Sequence, residues 1–220
     1  MVATHTDNLT PGDVWALLVA GNERFVRGEP EHPRQDVERR AAVSNSQHPR
    51  VAIFGCSDSR LSAEIIFDIG LGDAFVVRNA GQVISDSVIG SLEYAVGVLG
   101  VHVILVLGHD SCGAVRAAID TALDGDIPAT PFIQGLVDQI IPAVKRVVTT
   151  DPTAPASAAG VSKIGQEHLR DTVAALIDSS ELISQAIAAG STAIVGANYQ
   201  LADGRVATDI VVGDLSTSHV

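Results

Sequence analysis

The chain holds two cysteines among its 220 residues, and each lies in a short polar segment directly behind an apolar run. Cys56-Ser57-Asp58-Ser59-Arg60 follows the run 51–54, and His109-Asp110-Ser111-Cys112-Gly113 follows the run 101–107. Two thiolates and an imidazole are soft donors of the kind zinc prefers; hard, oxygen-seeking cations do not choose them. His109 and Cys112 are spaced so that one turn at a helix start aims both at a single ion. Cys56 arrives from a strand end 53 residues before His109. Three protein ligands leave the fourth tetrahedral position open, which is what separates a catalytic zinc site from a structural one.

Asp58 and Arg60 are two residues apart, so an extended segment turns both to one side. A carboxylate beside the ion can take the proton of an ion-bound water, or it can ligate the ion and close the fourth position. The guanidinium of Arg60 would hold Asp58 ionised and away from the metal. Asp110 and Ser111, lying between two ligands, are expected to support or cap rather than react. Two thiolates neutralise a zinc dication, so its water should ionise later than at an all-histidine site. Activity is expected to rise in mildly alkaline solution, at roughly pH 7.5–9.

Positioning these groups requires strand ends. The runs 51–54, 74–77 and 101–107 are short and apolar, as expected of strands buried on both faces. Helical patterns over 63–69, 85–99 and 113–123 alternate with them. Repeated strand–helix units predict an α/β fold with a central, mostly parallel sheet flanked by helices. In open sheets of this kind ligands gather at the carboxyl ends of the strands, where the strand order reverses. A helix following Thr10-Pro11-Gly12-Asp13, with Asp13 as N-cap, and a loop with a short helix over 29–50 form an N-terminal helical arm. Further helices are expected over 132–148 and 167–189, separated by a low-complexity loop at 151–162. The segments 193–199 and 206–212 form a C-terminal hairpin around Ala202-Asp203-Gly204. Residues 1–220 are read as one domain, with the arm at 1–50 and the α/β core at 51–220.

Composition narrows the function classes. The hydrophobic fraction is 46% and the net charge is −12, which excludes a disordered chain and argues against nucleic acid or anionic membrane as partner. No run approaches the ~18 apolar residues of a membrane span. Met1-Val2-Ala3-Thr4-His5-Thr6-Asp7 lacks the basic start and apolar run of a signal peptide. Two cysteines make no disulfide framework, so a reducing cytoplasm is expected, where thiolates stay free to bind metal. A mean hydropathy of +0.29 suggests apolar surface covered by another subunit.

Taken together, Cys-Ser-Asp-Ser-Arg at 56–60 and Gly-His-Asp-Ser-Cys-Gly at 108–113 resemble the β-class carbonic anhydrases. Phe75-Val76-Val77-Arg78-Asn79-Ala80-Gly81 resembles another segment of that family, and the similarity extends from Gly21-Asn22-Glu23-Arg24-Phe25 to Asn198-Tyr199. The resemblance implies reversible hydration of carbon dioxide to bicarbonate and a proton, through zinc-bound hydroxide. It implies one Zn2+ per chain on Cys56, His109 and Cys112, with Asp58 and Arg60 as the catalytic pair. Gln47, Phe75 and Tyr94 would line the substrate pocket, and Gly113 would offer its backbone N–H to substrate. The family's site lies at a subunit interface, implying a homodimer or homotetramer. Two positions depart from the family pattern: Gln82 replaces an Asn, and Ile53 stands where some bacterial members place the Trp of a second bicarbonate pocket. Arg78 and Tyr199 match that pocket's other members. His48 and His102 are candidates for moving protons but are more often structural, and they are left outside the site. Two other readings stay open on sequence: hydrolysis of carbonyl sulfide or carbon disulfide at the same site, and a non-catalytic zinc module closed by Asp58.

Overall fold

A computed structural model describes residues 9–218; the Met1–Asp7 stretch read for targeting signals lies outside them. The chain begins with α1 (Pro11–Arg27). Its N-cap is Thr10 rather than the expected Asp13. Asp13 sits at N3 and completes a capping box, taking the Thr10 N–H on its carboxylate while the Thr10 hydroxyl takes the Asp13 N–H. Gly28, at φ 72°, ends the helix in the left-handed conformation that glycine adopts without penalty. The short α2 (Val37–Ala42) follows.

The sheet contains β1 (Val51–Cys56), β2 (Ala74–Asn79), β3 (Val103–His109), β4 (Ala193–Tyr199) and β5 (Val206–Val212), in the order β2-β1-β3-β4-β5. The first four are parallel, and β5 returns antiparallel to β4 as the expected hairpin. β1 and β3 are buried at every position, as their unbroken apolar sequences require. The chain leaves β1 toward β2 on one side and comes back to β3 on the other. The carboxyl ends of β1 and β3 therefore form the topological switch point. Their register (Gly55 opposite Leu107) brings both strand ends level.

Helices cover both faces: α3 (Ala63–Ile66), α4 (Asp86–Gly97), α5 (Gly113–Asp124), α6 (Pro131–Asp138), α7 (Ile141–Thr150), α8 (Ala158–Ser179) and α9 (Glu181–Ala188). Three boundaries differ from the periodicity reading, each for a local reason. The helix expected over 63–69 stops at Ile66, because Asp68 turns left-handed (φ 46°) and spends its carboxylate on the N–H groups of Glu31 and His32. The helix expected over 132–148 is two helices. Pro142 can sit in the first turn of a new helix but not inside a continuous one. The helix expected over 167–189 starts much earlier, because Ser157 caps α8 on the N–H of Gly160. It breaks at Ser180, whose extended backbone and side chain cap α9.

The Gly21–Phe25 element fastens α1 to this core. A Cβ at Gly21 would lie 1.9 Å from the Phe67 carbonyl oxygen, so only glycine permits the approach. Buried Asn22 donates to the carbonyls of Ile66 (3.1 Å) and Gly204 (2.8 Å) and accepts the Val206 N–H (2.9 Å). Arg24 pairs with buried Asp68 at 2.6 Å. One asparagine thus satisfies three backbone groups from α3 and the hairpin. Asn22→Leu should lower the unfolding free energy by about 2–4 kcal/mol, read by chemical denaturation, since buried groups lose their partners. A loss under about 0.5 kcal/mol would show that water replaces them.

Candidate metal centre and active site

Cys56 ends β1, His109 ends β3, and Cys112 is the N-cap residue of α5. Their donor atoms lie within 4.8 Å of one another, and all three residues are buried. His109 Nδ1 is 2.7 Å from the backbone oxygen of Asp110. A carbonyl can only accept, so Nδ1 carries the proton and Nε2 presents a lone pair. That Nε2 is buried and has no hydrogen-bond partner among the described residues. An imidazole oriented through Nδ1–H and bare at Nε2 is set to ligate a metal.

The contact between the two sulfurs drives their titrations in opposite directions. The bond from Cys112, aided by His109 and the Gly81 N–H and opposed by burial, brings the Cys56 thiol down to about 4. The same bond, together with burial, pushes the Cys112 thiol up. Two buried thiols that cannot both ionise unaided, facing an unpartnered imidazole nitrogen, are the arrangement a soft dication resolves. The donor set of two sulfurs and one nitrogen fits zinc.

Asp58 stands beside this triad, with Oδ2 3.9 Å from His109 Nε2. Arg60 grips both of its oxygens, Nε to Oδ1 at 2.9 Å and Nη2 to Oδ2 at 2.7 Å, and the Arg60 N–H adds a third bond at 2.9 Å. The Arg60 side-chain pair, outweighing the cost of burial, holds the Asp58 carboxyl far below the usual carboxylate range. Arg60 Nη2 also reaches the Ser111 carbonyl at 3.3 Å, so one guanidinium braces both ligand-bearing loops. The guanidinium thus favours the ionised carboxylate and engages both of its oxygens.

The loops are fixed from outside. Asp110 accepts the Leu201 N–H at 2.9 Å and donates its own N–H to Tyr199, tying the β3–α5 loop to the hairpin. Arg78 donates to the carbonyls of Cys56 (3.0 Å) and Asp58 (2.7 Å), holding the loop that carries Asp58. Sequence reasoning missed this role. The available signal was a charged residue inside a strand-like run. Gly113 opens α5 and is exposed, with open space where a Cβ would stand. Its N–H belongs to the first turn, where helix donors lack partners.

Gln47, Phe75 and Tyr94 are not brought to the triad by their own chain. Gln47 is exposed and precedes β1 at the opposite end of the sheet. Phe75 pairs with Ala52, four residues short of Cys56, about 13 Å away at the strand rise. Its ring meets that of Tyr94 at 6.1 Å between centroids. Tyr94 is 46% exposed. Phe75 packs against the apolar cluster that contains Ala52, Phe54 and Leu92, whereas Cys56 and Cys112 belong to the other one.

Comparison with known proteins agrees with this geometry. A family model described as carbonic anhydrase matches residues 51–206. A carbonic anhydrase of Mycolicibacterium smegmatis is 46% identical over 94% of this chain and 98% of its own length. Carbonic anhydrase 2 of Mycobacterium tuberculosis is 48% identical over 94% and 97%. The β-carbonic anhydrase CafA of Aspergillus fumigatus superposes with a TM-score of 0.69 at 22% identity, covering 92% of this chain and 91% of that one. One of two tetrameric β-carbonic anhydrases of Sordaria macrospora gives 0.67 at 22% identity, over 89% and 96%; at such identities the likeness is one of fold. With the fold, the family match and near full-length relatives in agreement, the chain belongs to the β-carbonic anhydrase family.

Proposed function

We propose that this chain hydrates carbon dioxide reversibly to bicarbonate and a proton, with one zinc held by Cys56, His109 and Cys112. The observation that carries the reading is the convergence of two sulfurs on an unpartnered His109 Nε2, beside a carboxylate already bound to a guanidinium. Bound zinc would supply a hydroxide nucleophile in mildly alkaline solution. Asp58, ionised, accepts a hydrogen bond from the attacking group and orients it. Arg60 keeps Asp58 from taking the open position. The Gly113 N–H and the start of α5 favour negative charge developing on a substrate oxygen. Cys56→Ser, Cys112→Ser and His109→Ala should each lose zinc and activity together. Full metal content and full activity in any one of them would remove that residue from the ligand set.

The carboxylate clamp sets a second expectation. Arg60→Ala frees Asp58 to compete for the ion, so zinc should be retained while kcat/KM falls at least ~10-fold, as is typical of residues supporting a metal site. The native enzyme should be weakly active at or below neutral pH and gain activity into the alkaline range, because two thiolates blunt the ion's charge. Stopped-flow hydration in concentrated buffer measures both. A native-rate Arg60→Ala, or a native profile flat from pH 6 upward, contradicts this account of the site.

The site is incomplete in one chain. We propose that Gln47, Phe75 and Tyr94 line the pocket of a second copy, in a two-fold dimer that can pair further into a tetramer. Supporting this are exposed apolar side chains at Leu17, Val37, Tyr94 and Val98. Among the described residues no helix is long and apolar enough to cross a membrane. The cytoplasm is the proposed location, since the ligand thiols must stay reduced. Light scattering should find at least a dimer; a fully active monomer of 22.8 kDa would refute the shared pocket.

A further inference from the structure

The turn that follows β2 has a backbone shape that needs external support. Gly81 (φ 79°) and Gln82 (φ 40°) are successive left-handed residues, and Gln82 is a buried non-glycine in that region. A Cβ on Gly81 would meet Ala114 at 2.9 Å and Ile140 at 3.0 Å. Asn79 closes the base of the turn, donating to the Val83 carbonyl at 2.7 Å and accepting the Val83 N–H at 2.9 Å.

The remaining support comes from α8, across the sheet face. His168 Nε2 lies 2.7 Å from the Gly81 carbonyl. Thr172, one turn later, sets its hydroxyl 3.3 Å from the Gln82 carbonyl and 2.9 Å from that of His168. Because a carbonyl only accepts, Nε2 carries the proton and Nδ1 is left as a lone pair. That Nδ1 is buried and unpartnered among the described residues. Burial pushes the His168 pKa down, so the ring is neutral. A buried imidazole with one idle nitrogen is a poor way to fill a core. The bond it makes does have a destination: the same Gly81 donates its N–H to Cys56 Sγ at 3.3 Å.

We propose that His168, seconded by Thr172, is a positioning residue for the metal centre. It pins Gly81 by its carbonyl, which fixes the residue so that its N–H, in the preceding peptide, stays on the Cys56 sulfur. This inference rests on the reading of Cys56 as a metal ligand. An N–H bond draws charge from a thiolate, so the sulfur donates less to the ion. In a site whose two thiolates already neutralise the dication, that bond returns Lewis acidity to it. The contact lies outside the ligand set, and the first link is 87 residues long in sequence.

The test starts with native protein loaded with NMR-active cadmium. A scalar coupling from the metal to the Gly81 amide proton is expected, transmitted through the N–H···S bond. A native protein that takes up no cadmium overturns the ligand reading and this proposal with it; uptake without the coupling overturns this proposal alone. Variants then isolate the imidazole. In cobalt-loaded His168→Leu the sulfur-to-metal charge-transfer band should move to longer wavelength, because the sulfur has lost its donor. Zinc-loaded His168→Leu should lose ~10-fold or more in kcat. His168→Gln, whose side-chain amide can donate to the same carbonyl, should restore the native band. A folded, fully loaded His168→Leu with the native band and native coupling would overturn the assignment. If His168→Leu does not fold, the native coupling and the band of Thr172→Val, which should shift in the same direction, decide.

Discussion

The parallel pairing of β1 with β3 is the contact on which the chemistry depends. It sets Gly55 opposite Leu107, so Cys56 and His109 leave the sheet at one level although 53 residues separate them. A slip of one residue would exchange the faces of every side chain on a strand. That slip is resisted by two fully buried strands, each wedged between apolar clusters on both faces. The site is precise because its ligands hang from the most constrained backbone in the molecule, and the loops need to hold only the last two or three residues.

Those last residues are held by charge and by carbonyl capture rather than by apolar packing. Arg60 binds Asp58 and the Ser111 carbonyl; Arg78 binds the Cys56 and Asp58 carbonyls; Asp110 binds the Leu201 N–H. Each guanidinium joins two stretches of chain, which a lysine could not do with the same planar, multi-donor geometry. Arg60 is half exposed, and such a pair at an open surface adds little to stability. Its value here lies in where it keeps a carboxylate. The same economy explains Arg78: its guanidinium is spent on the active-site loop, which leaves it engaged and far from Tyr199, with two strands standing between them in the sheet order.

Burial does the complementary work on the ligands. Removing Cys56, Cys112 and His109 from water raises the penalty for an unpaired thiolate or an idle imidazole nitrogen. The two thiols are driven apart in their titration, and the His109 Nε2 has no partner among the described residues. A dication relieves both at once. In such a group metal binding would be coupled to folding, and the turn at Gly81 would join that coupling through its N–H on Cys56.

Much of this was legible in the order of residues. Unbroken apolar runs at β1 and β3 had to be strands buried on both faces, and the two Cys and one His marked a group able to hold a metal ion. The spacing of His109 and Cys112 and the proximity of Asp58 to Arg60 are local properties that survive into the structure unchanged. Helix boundaries were less legible where capping competes with periodicity. Thr10 displaced Asp13 because a capping box needs its acid at N3, and Ser180 and Pro142 divided helices whose apolar pattern runs on. Three things only the tertiary structure could decide. Arg78 became a loop clamp because β2 lies beside β1, and His168 reached the Gly81 carbonyl because α8 packs against that turn. Gln47, Phe75 and Tyr94 were left away from their own chain's triad by the length of the strands. Each depends on distances between segments far apart in sequence, which residue type and periodicity do not encode.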